Sequence, residues 1–241
     1  MHPHERVIVA LDVNNIEKAR QLAHQLSGKV GAFKIGKELF VSVGPEIIRV
    51  LVENGMRVFL DLKFHDIPNT VAGAVEAAAA HGVWMVNVHA AGGPAMCRAA
   101  AVAAQQVVAS LHIPKPLVIG VTVLTSLDNK DLAAVGLQGP TQDAALRLAK
   151  LAKEAGLDGV VASAQDVAAI KEACGPDFLT VTPGIRPASG SADDQKRIMT
   201  PAAAIRAGAD YLVIGRPITQ APDPVAAVAA IVQEIHTATG G

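Results

Sequence analysis

The sequence predicts a single-domain (β/α)8 barrel, an α/β fold, and three observations predict it. Eight short apolar runs alternate with stretches of helical periodicity at spacings of roughly 20–35 residues, the pattern of a parallel sheet with right-handed crossovers. The chain has 241 residues, a length that eight such units fill as one domain, and no shift in composition marks a second. No G-x-G-x-x-G follows the first apolar run, which weakens the case for an open, dinucleotide-binding sheet.

The elements follow in order. Residues 7–11 are continuously apolar, as in a strand buried on both faces, and end at Asp12. Asn14 or Asn15 can cap the next helix, in which Ile16, Ala19, Leu22, Ala23 and Leu26 recur at helical spacing. Residues 31–35 form a second strand with Lys34 near its end. A helical stretch over 38–54 is broken at Gly44-Pro45 and stopped by Gly55. The third strand runs from Val58 through Phe59 and Leu60 into Asp61-Leu62-Lys63, and Pro68 opens the helix after it, where a missing N–H costs least. Residues 84–88 are the fourth strand, ending at His89, and an Ala-rich helix continues to about Ser110. Residues 117–121 are the fifth strand, with helical patterns at 127–135 and 143–155. The sixth strand (159–162), a helix at 165–173 and the seventh strand (179–182) lead into Pro183-Gly184-Ile185-Arg186. Residues 187–197 form a polar Gly/Ser-containing loop of a length suited to a lid. A short helix at 201–207, the eighth strand (211–214), Gly215-Arg216, a short helical segment at 217–220 and a helix over 224–236 complete the chain.

Composition narrows the function. Hydrophobic residues make up 51% and charged residues 18%, enough for a full core. A net charge of −1 without a basic block argues against nucleic acid, and 3% aromatics argue against base-stacking platforms. Cys97 and Cys174 stand far apart with no CxxC partner and read as reduced, buried apolar residues. The first residues lack the apolar core of a signal peptide, and no apolar run reaches membrane-spanning length, so no membrane association and a cytoplasmic location are expected.

In such a barrel, function collects where strands end in loops. The residues there are Asp12, Lys34, Asp61, Lys63, His89, Thr125, the 183–186 turn and Gly215-Arg216, a charged set in a chain poor in charge. Asp61 and Lys63 lie two apart and so point to the same side of an extended chain, and a lysine between carboxylates stays protonated near a core. Glycine and arginine after strands seven and eight suit a phosphate, through accessible backbone N–H groups and a planar guanidinium. No His/Cys/carboxylate spacing suggests zinc, and no Ser-His pair suggests a nucleophile elbow. Histidines 65, 81, 89, 112 and 236 read as packing or surface residues, His89 being the first candidate for an exception because it sits at a strand end.

At this level of detail the residues resemble a known family. Asp61-Leu62-Lys63-Phe64-His65-Asp66-Ile67-Pro68-Asn69-Thr70 resembles the D-x-K-x-x-D-I-P-x-T signature of the orotidine 5′-phosphate decarboxylases. Further similarity lies in Ala10-Leu11-Asp12, Phe33-Lys34-Ile35-Gly36, Leu124-Thr125-Ser126, the 182–186 segment and Ile214-Gly215-Arg216, so it spans nearly the whole chain and is closest to the bacterial branch. The resemblance implies cofactor-free and metal-free decarboxylation of orotidine 5′-monophosphate to UMP and carbon dioxide, in de novo pyrimidine synthesis. It implies that Lys63 protonates C6, that Asp61 lies beside the substrate carboxylate, and that Lys34 and Asp12 contact ribose hydroxyls. Thr125 would read the pyrimidine edge, and Pro183 would belong to the substrate site. Arg186, Gln195, Gly215 and Arg216 would hold the phosphate, Gln195 arriving with the lid. Asp66, Ile67 and Thr70 would complete the neighbour's site in a homodimer. Two other readings share the barrel. A Mg²⁺-dependent sugar-phosphate decarboxylase or aldolase would need a carboxylate on strand two, where this chain has Lys34. A catalytically silent phosphate binder is at odds with the intact Asp61, Lys63 and Asp66 set.

Overall fold

The computed structural model describes residues 1–187 and 198–240, apart from the side chains of Ala109 and Leu111. Eight parallel strands close into a barrel in sequence order: β1 (Val7–Ala10), β2 (Ala32–Gly36), β3 (Val58–Phe64), β4 (Met85–His89), β5 (Leu117–Val121), β6 (Gly159–Val161), β7 (Leu179–Thr182) and β8 (Tyr211–Ile214). β8 returns to β1 with Val7 opposite Leu212 and Val9 opposite Ile214. The predicted barrel is therefore the one formed.

Helices fill the crossovers: α1 (Ile16–Leu26), α2 (Lys37–Val43), α3 (Glu46–Glu53), α4 (Pro68–Ala80), α5 (Gly93–Leu111), α6 (Asn129–Ala134), α7 (Thr141–Glu154), α8 (Val167–Cys174), α9 (Pro201–Arg206), α10 (Arg216–Thr219) and α11 (Pro224–Ala238). Several start where the sequence places them, while α6, α7 and α8 begin two residues away from the expected positions, at Asn129, Thr141 and Val167. Asn15 caps α1 by accepting the Glu17 and Lys18 N–H groups, and Pro68 and Pro224 open α4 and α11. The break at Gly44-Pro45 divides α2 from α3. Among the described residues no helix is long and apolar enough to cross a membrane.

The apolar residues form two layers. Ile8, Ala10, Ala32, Phe59, Met85, Ile119, Val181 and Tyr211 fill the barrel interior. A larger shell between sheet and helices includes Leu11, Ile35, Leu60, Val86 and Val88 from strand sides and Leu26, Ile47, Val75 and Ile231 from helices. Strands buried on both faces thus need the continuous apolar runs seen in the sequence.

The base of the barrel is fastened by a repeated device. After α7 and after the α9 turn, Gly156 (φ 87°) and Gly208 (φ 99°) end the helix in a left-handed conformation that glycine adopts freely. The next residues, Leu157 and Ala209, send their N–H groups back to Ala152 and Ala204. Then comes an aspartate that holds the adjacent strand. Asp158 accepts the Val118 N–H at 2.8 Å and pairs with Lys115. Asp210 accepts the Thr180 N–H at 2.7 Å, the Thr180 hydroxyl at 3.0 Å and Lys171 Nζ at 2.7 Å. Asp210→Ala leaves a strand N–H, a hydroxyl and a largely buried ammonium short of their acceptor, so stability should fall by about 2–4 kcal/mol. Urea unfolding measures this, and a loss under about 1 kcal/mol would show the clasp to be dispensable.

Candidate active site

The C-terminal strand ends enclose a cavity of about 330 Å³. Asp12, Lys34, Asp61, Lys63, Thr125, Pro183, Arg186, Gly215 and Arg216 all line it, together with Phe59, Val121, Val123, Leu124 and Val161. Residues scattered over more than 200 positions of sequence are thus brought to one mouth, with polar groups on an apolar wall, as ligand sites are usually built.

One wall is a chain of alternating charge. Lys34 Nζ lies 3.0 Å from Asp12 Oδ1 and 3.3 Å from Asp61 Oδ2, and Lys63 Nζ lies 2.6 Å from Asp61 Oδ1. Lys34 and Asp61 are buried, whereas the Asp12 side chain is 52% exposed. Two carboxylates and two ammoniums cancel formally, which is what makes burying them tolerable. Burial by itself favours the neutral form of Lys34, yet Asp61 and Asp12 outweigh it and hold the ammonium above the usual lysine range. Burial likewise opposes ionisation of Asp61, and Lys34 and Lys63 overcome it, so the carboxyl lies below the usual range. Both groups are therefore charged at neutral pH. The Lys34 ammonium sits between the carboxylates that a divalent cation would need, so this wall does not offer a metal site. Among the described residues no group of three or more His, Cys, Asp and Glu side chains converges.

The backbone fits closely around this chain. A Cβ on Gly36 would come within 2.8 Å of Lys34 Nζ and 3.1 Å of Asp12 Oδ1. Asp61 and Lys63 do face the same side, but not through regular alternation. The β3–β4 register jumps between Leu60 and Phe64, and Lys63 has φ 55°. Asn87, in the middle of β4 and 1% exposed, accepts the Lys63 N–H at 2.8 Å and donates to Asp61 Oδ1 at 2.7 Å. Sequence reasoning missed Asn87. The available signal was a lone amide inside an otherwise apolar strand, which must be hydrogen-bonded when buried.

Of the residues expected to hold a phosphate, Arg186, Gly215 and Arg216 line the same cavity from the ends of β7 and β8. Arg186 is buried and its Nη1 donates to the Ile185 carbonyl at 3.0 Å. Gly215 caps the short helix α10, whose first residue is Arg216. The flanks of the predicted lid meet at a parallel bridge between Ile185 and Met199. Gln195, and residues 188–197 of the segment expected to form the lid, lie outside the described residues.

Asp66, Ile67 and Thr70 do not line the cavity of their own chain. All three are exposed, Ile67 by 66%, and Asp66 Oδ1 accepts the Ile67 N–H at 2.7 Å. Among the described residues Asp61 is the carboxylate ion-paired to Lys63. His89 is half-buried against His65, with ring centroids 5.4 Å apart, and neither ring lines the cavity. Cys97 and Cys174 are buried and free, and burial pushes the Cys97 thiol up to about 11, as expected of inert residues.

The sequence matches the family model described as Orotidine 5′-phosphate decarboxylase / HUMPS family over residues 5–231. It is 56% identical over 237 residues to the orotidine 5′-phosphate decarboxylase of Moorella thermoacetica, covering 98% of this chain and 94% of that protein. To the protein of the same name from Pseudomonas paraeruginosa it is 55% identical over 229 residues, covering 95% of this chain and 97% of that one. Among solved structures, orotidine 5′-phosphate decarboxylase from Lactobacillus acidophilus superposes with a TM-score of 0.84 at 39% identity, covering 95% of this chain and 98% of that one.

His89 gives the site a pH signature. Burial, then His65, Lys63 and Lys37, lower its pKa to about 4. Between that value and the ordinary histidine range near 6.5 the unfolded chain binds a proton that the folded chain does not. Stability is therefore complete above about pH 6.5 and declines as pH falls toward 4. Urea unfolding from pH 7.5 to 4.5 should show a shallower decline in His89→Gln than in the parent, and parallel curves would contradict the assignment.

Proposed function

The chain belongs to the orotidine 5′-phosphate decarboxylase / HUMPS family, and we propose that it decarboxylates orotidine 5′-monophosphate to UMP in pyrimidine biosynthesis, without a cofactor. The observation that carries this reading is the Asp12–Lys34–Asp61–Lys63 chain, set in the same cavity as Arg186, Gly215 and Arg216. The chemistry requires such a wall. The bond from C6 to the carboxylate breaks, carbon dioxide leaves, and the electron pair stays on C6. That carbanion has little delocalisation, so a cation fixed beside it lowers the barrier. Lys63 supplies the charge and then transfers a proton from Nζ to C6, giving UMP and a neutral amine that solvent reprotonates.

The other residues have matching roles in this reading. Asp61 pairs with Lys63 Nζ at 2.6 Å and lies beside the departing carboxylate. Lys34 and Asp12 hold ribose hydroxyls, and Thr125 reads the pyrimidine edge from the end of β5. Pro183 forms part of the wall. Arg186, Gly215 and Arg216 take the phosphate, with Gln195 closing over it on the 187–197 segment. Phosphate binding far from C6 then supplies energy for closure and exclusion of water. Two chains form the working unit. Asp66, Ile67 and Thr70 are exposed on their own barrel and are assigned to the neighbour's cavity.

Two experiments test the reading. Purified protein, assayed with a chelator present, should consume orotidine 5′-monophosphate with the absorbance change of UMP formation. Lys63→Ala should lower kcat by about 1,000-fold or more while UMP still binds, and turnover within about tenfold of the parent would exclude Lys63 as the acid. Second, equimolar Lys63→Ala and Asp66→Ala chains, each inactive alone, should together regain about a quarter of parental activity, because half the dimers are mixed and each mixed dimer has one intact site. No recovery after verified subunit exchange would place Asp66 in the site of its own chain.

A further inference from the structure

We infer that Asn87 is a positioning residue for this reaction, one that sets Lys63 and Asp61 relative to each other from the neighbouring strand. The inference rests on the decarboxylase reading. On β3 the chain advances from Leu60 to Phe64 while β4 advances only from Val86 to Val88. Asn87 lies opposite the surplus, where the regular ladder is interrupted. Lys63 stands in that surplus at φ 55°, a conformation that residues other than glycine seldom adopt. Its N–H has left the ladder and goes to Asn87 Oδ1 at 2.8 Å instead of a main-chain carbonyl.

The other end of the same amide donates to Asp61 Oδ1 at 2.7 Å, the oxygen that also receives Lys63 Nζ at 2.6 Å. The backbone of the acid, its ammonium and its carboxylate partner are therefore joined in one ring through Asn87. A primary amide of this length offers an acceptor and a donor on one rigid plane. A carboxylate lacks the donor, and an aliphatic chain lacks both. Asn87 is 1% exposed and does not line the cavity, so it acts through Asp61 and Lys63 and not on substrate. Asp61 is otherwise faced by Lys34 from β2, with Asp12 behind it, by Lys63 on its own strand and more distantly by His89 on β4. The neutral amide is what keeps β4 from presenting a charge to this carboxylate at contact distance.

Asn87→Asp separates the two bonds. It retains the acceptor for the Lys63 N–H, loses the donor to Asp61 and sets a second carboxylate against the first. In Asn87→Asp, kcat should fall by about 100-fold, as expected for small misplacements of reacting groups, while the Kd for UMP changes by less than about threefold. NMR of protein labelled with carboxyl-¹³C aspartate, with the Asp61 signal assigned from Asp61→Asn, gives a readout independent of turnover. The Asp61 titration should move up by about one pH unit or more in the variant. If Asn87→Asp does not fold, Asn87→Ser, too short to span both groups, takes its place with the same expectations. A lowered Tm with kcat per folded site and the Asp61 titration unchanged would overturn the inference and leave Asn87 a structural residue. Failure of the parent protein to turn over orotidine 5′-monophosphate would instead sink the decarboxylase reading, and the Asp61 titration would still decide what Asn87 does.

Discussion

Everything at the mouth of this barrel depends on charges that could not be buried singly. An ammonium or carboxylate taken out of water alone loses several kcal/mol of solvation, and a contact pair regains a similar amount only when the geometry is close. The Asp12–Lys34–Asp61–Lys63 series meets that condition by alternating sign at separations of 2.6–3.3 Å. Three strands must end at the same height for this to happen, and Gly36 at the end of β2 leaves room for the Lys34 ammonium, which a methyl group there would displace. The neutral total conceals a strong local field. Each charge is held by its neighbours before any substrate arrives, and fixed charges of this kind need not reorganise during the reaction.

How much of this was legible in the sequence differs by residue, for physical reasons. The barrel was legible because strands buried on both faces require uninterrupted apolar runs, and residues 7–11 and 117–121 show them. Asp12, Lys34, Thr125, Arg186 and Arg216 were legible because parallel closure brings every strand end to one rim. Asp61 and Lys63 were placed correctly on one side, yet alternation was an incomplete reason. The strand is bulged and Lys63 is in a left-handed conformation, neither of which a run of strand-forming residues discloses. Asn87 was not legible because its importance comes from a register jump on another strand. Asp66, Ile67 and Thr70 read as part of the signature motif, but the structure of one chain leaves them outside its cavity.

The two ends of the barrel answer to different demands. At the base, Asp158 and Asp210 accept strand N–H groups, and their charges are used to hold β5 and β7 in place. At the mouth, the buried Lys34 and Asp61 and the more exposed Lys63 and Asp12 face an open cavity. Loops carry reactive groups most accurately when the scaffold beneath them is rigid, and here the rigid end and the reactive end are separated by the packed interior of Ile8, Phe59, Met85 and Ile119.

The only tryptophan and the only tyrosine of the chain both lie at that base. Trp84, immediately before β4, meets Tyr211 edge to face with centroids 5.2 Å apart, and the Arg57 guanidinium lies 4.9 Å above the indole. The protein thereby carries its intrinsic fluorophore at the end opposite its chemistry, beside a quenching cation and a single donor of excitation energy. Its emission reports on the base of the barrel, where β4 and β8 begin, and so on whether the barrel is folded there.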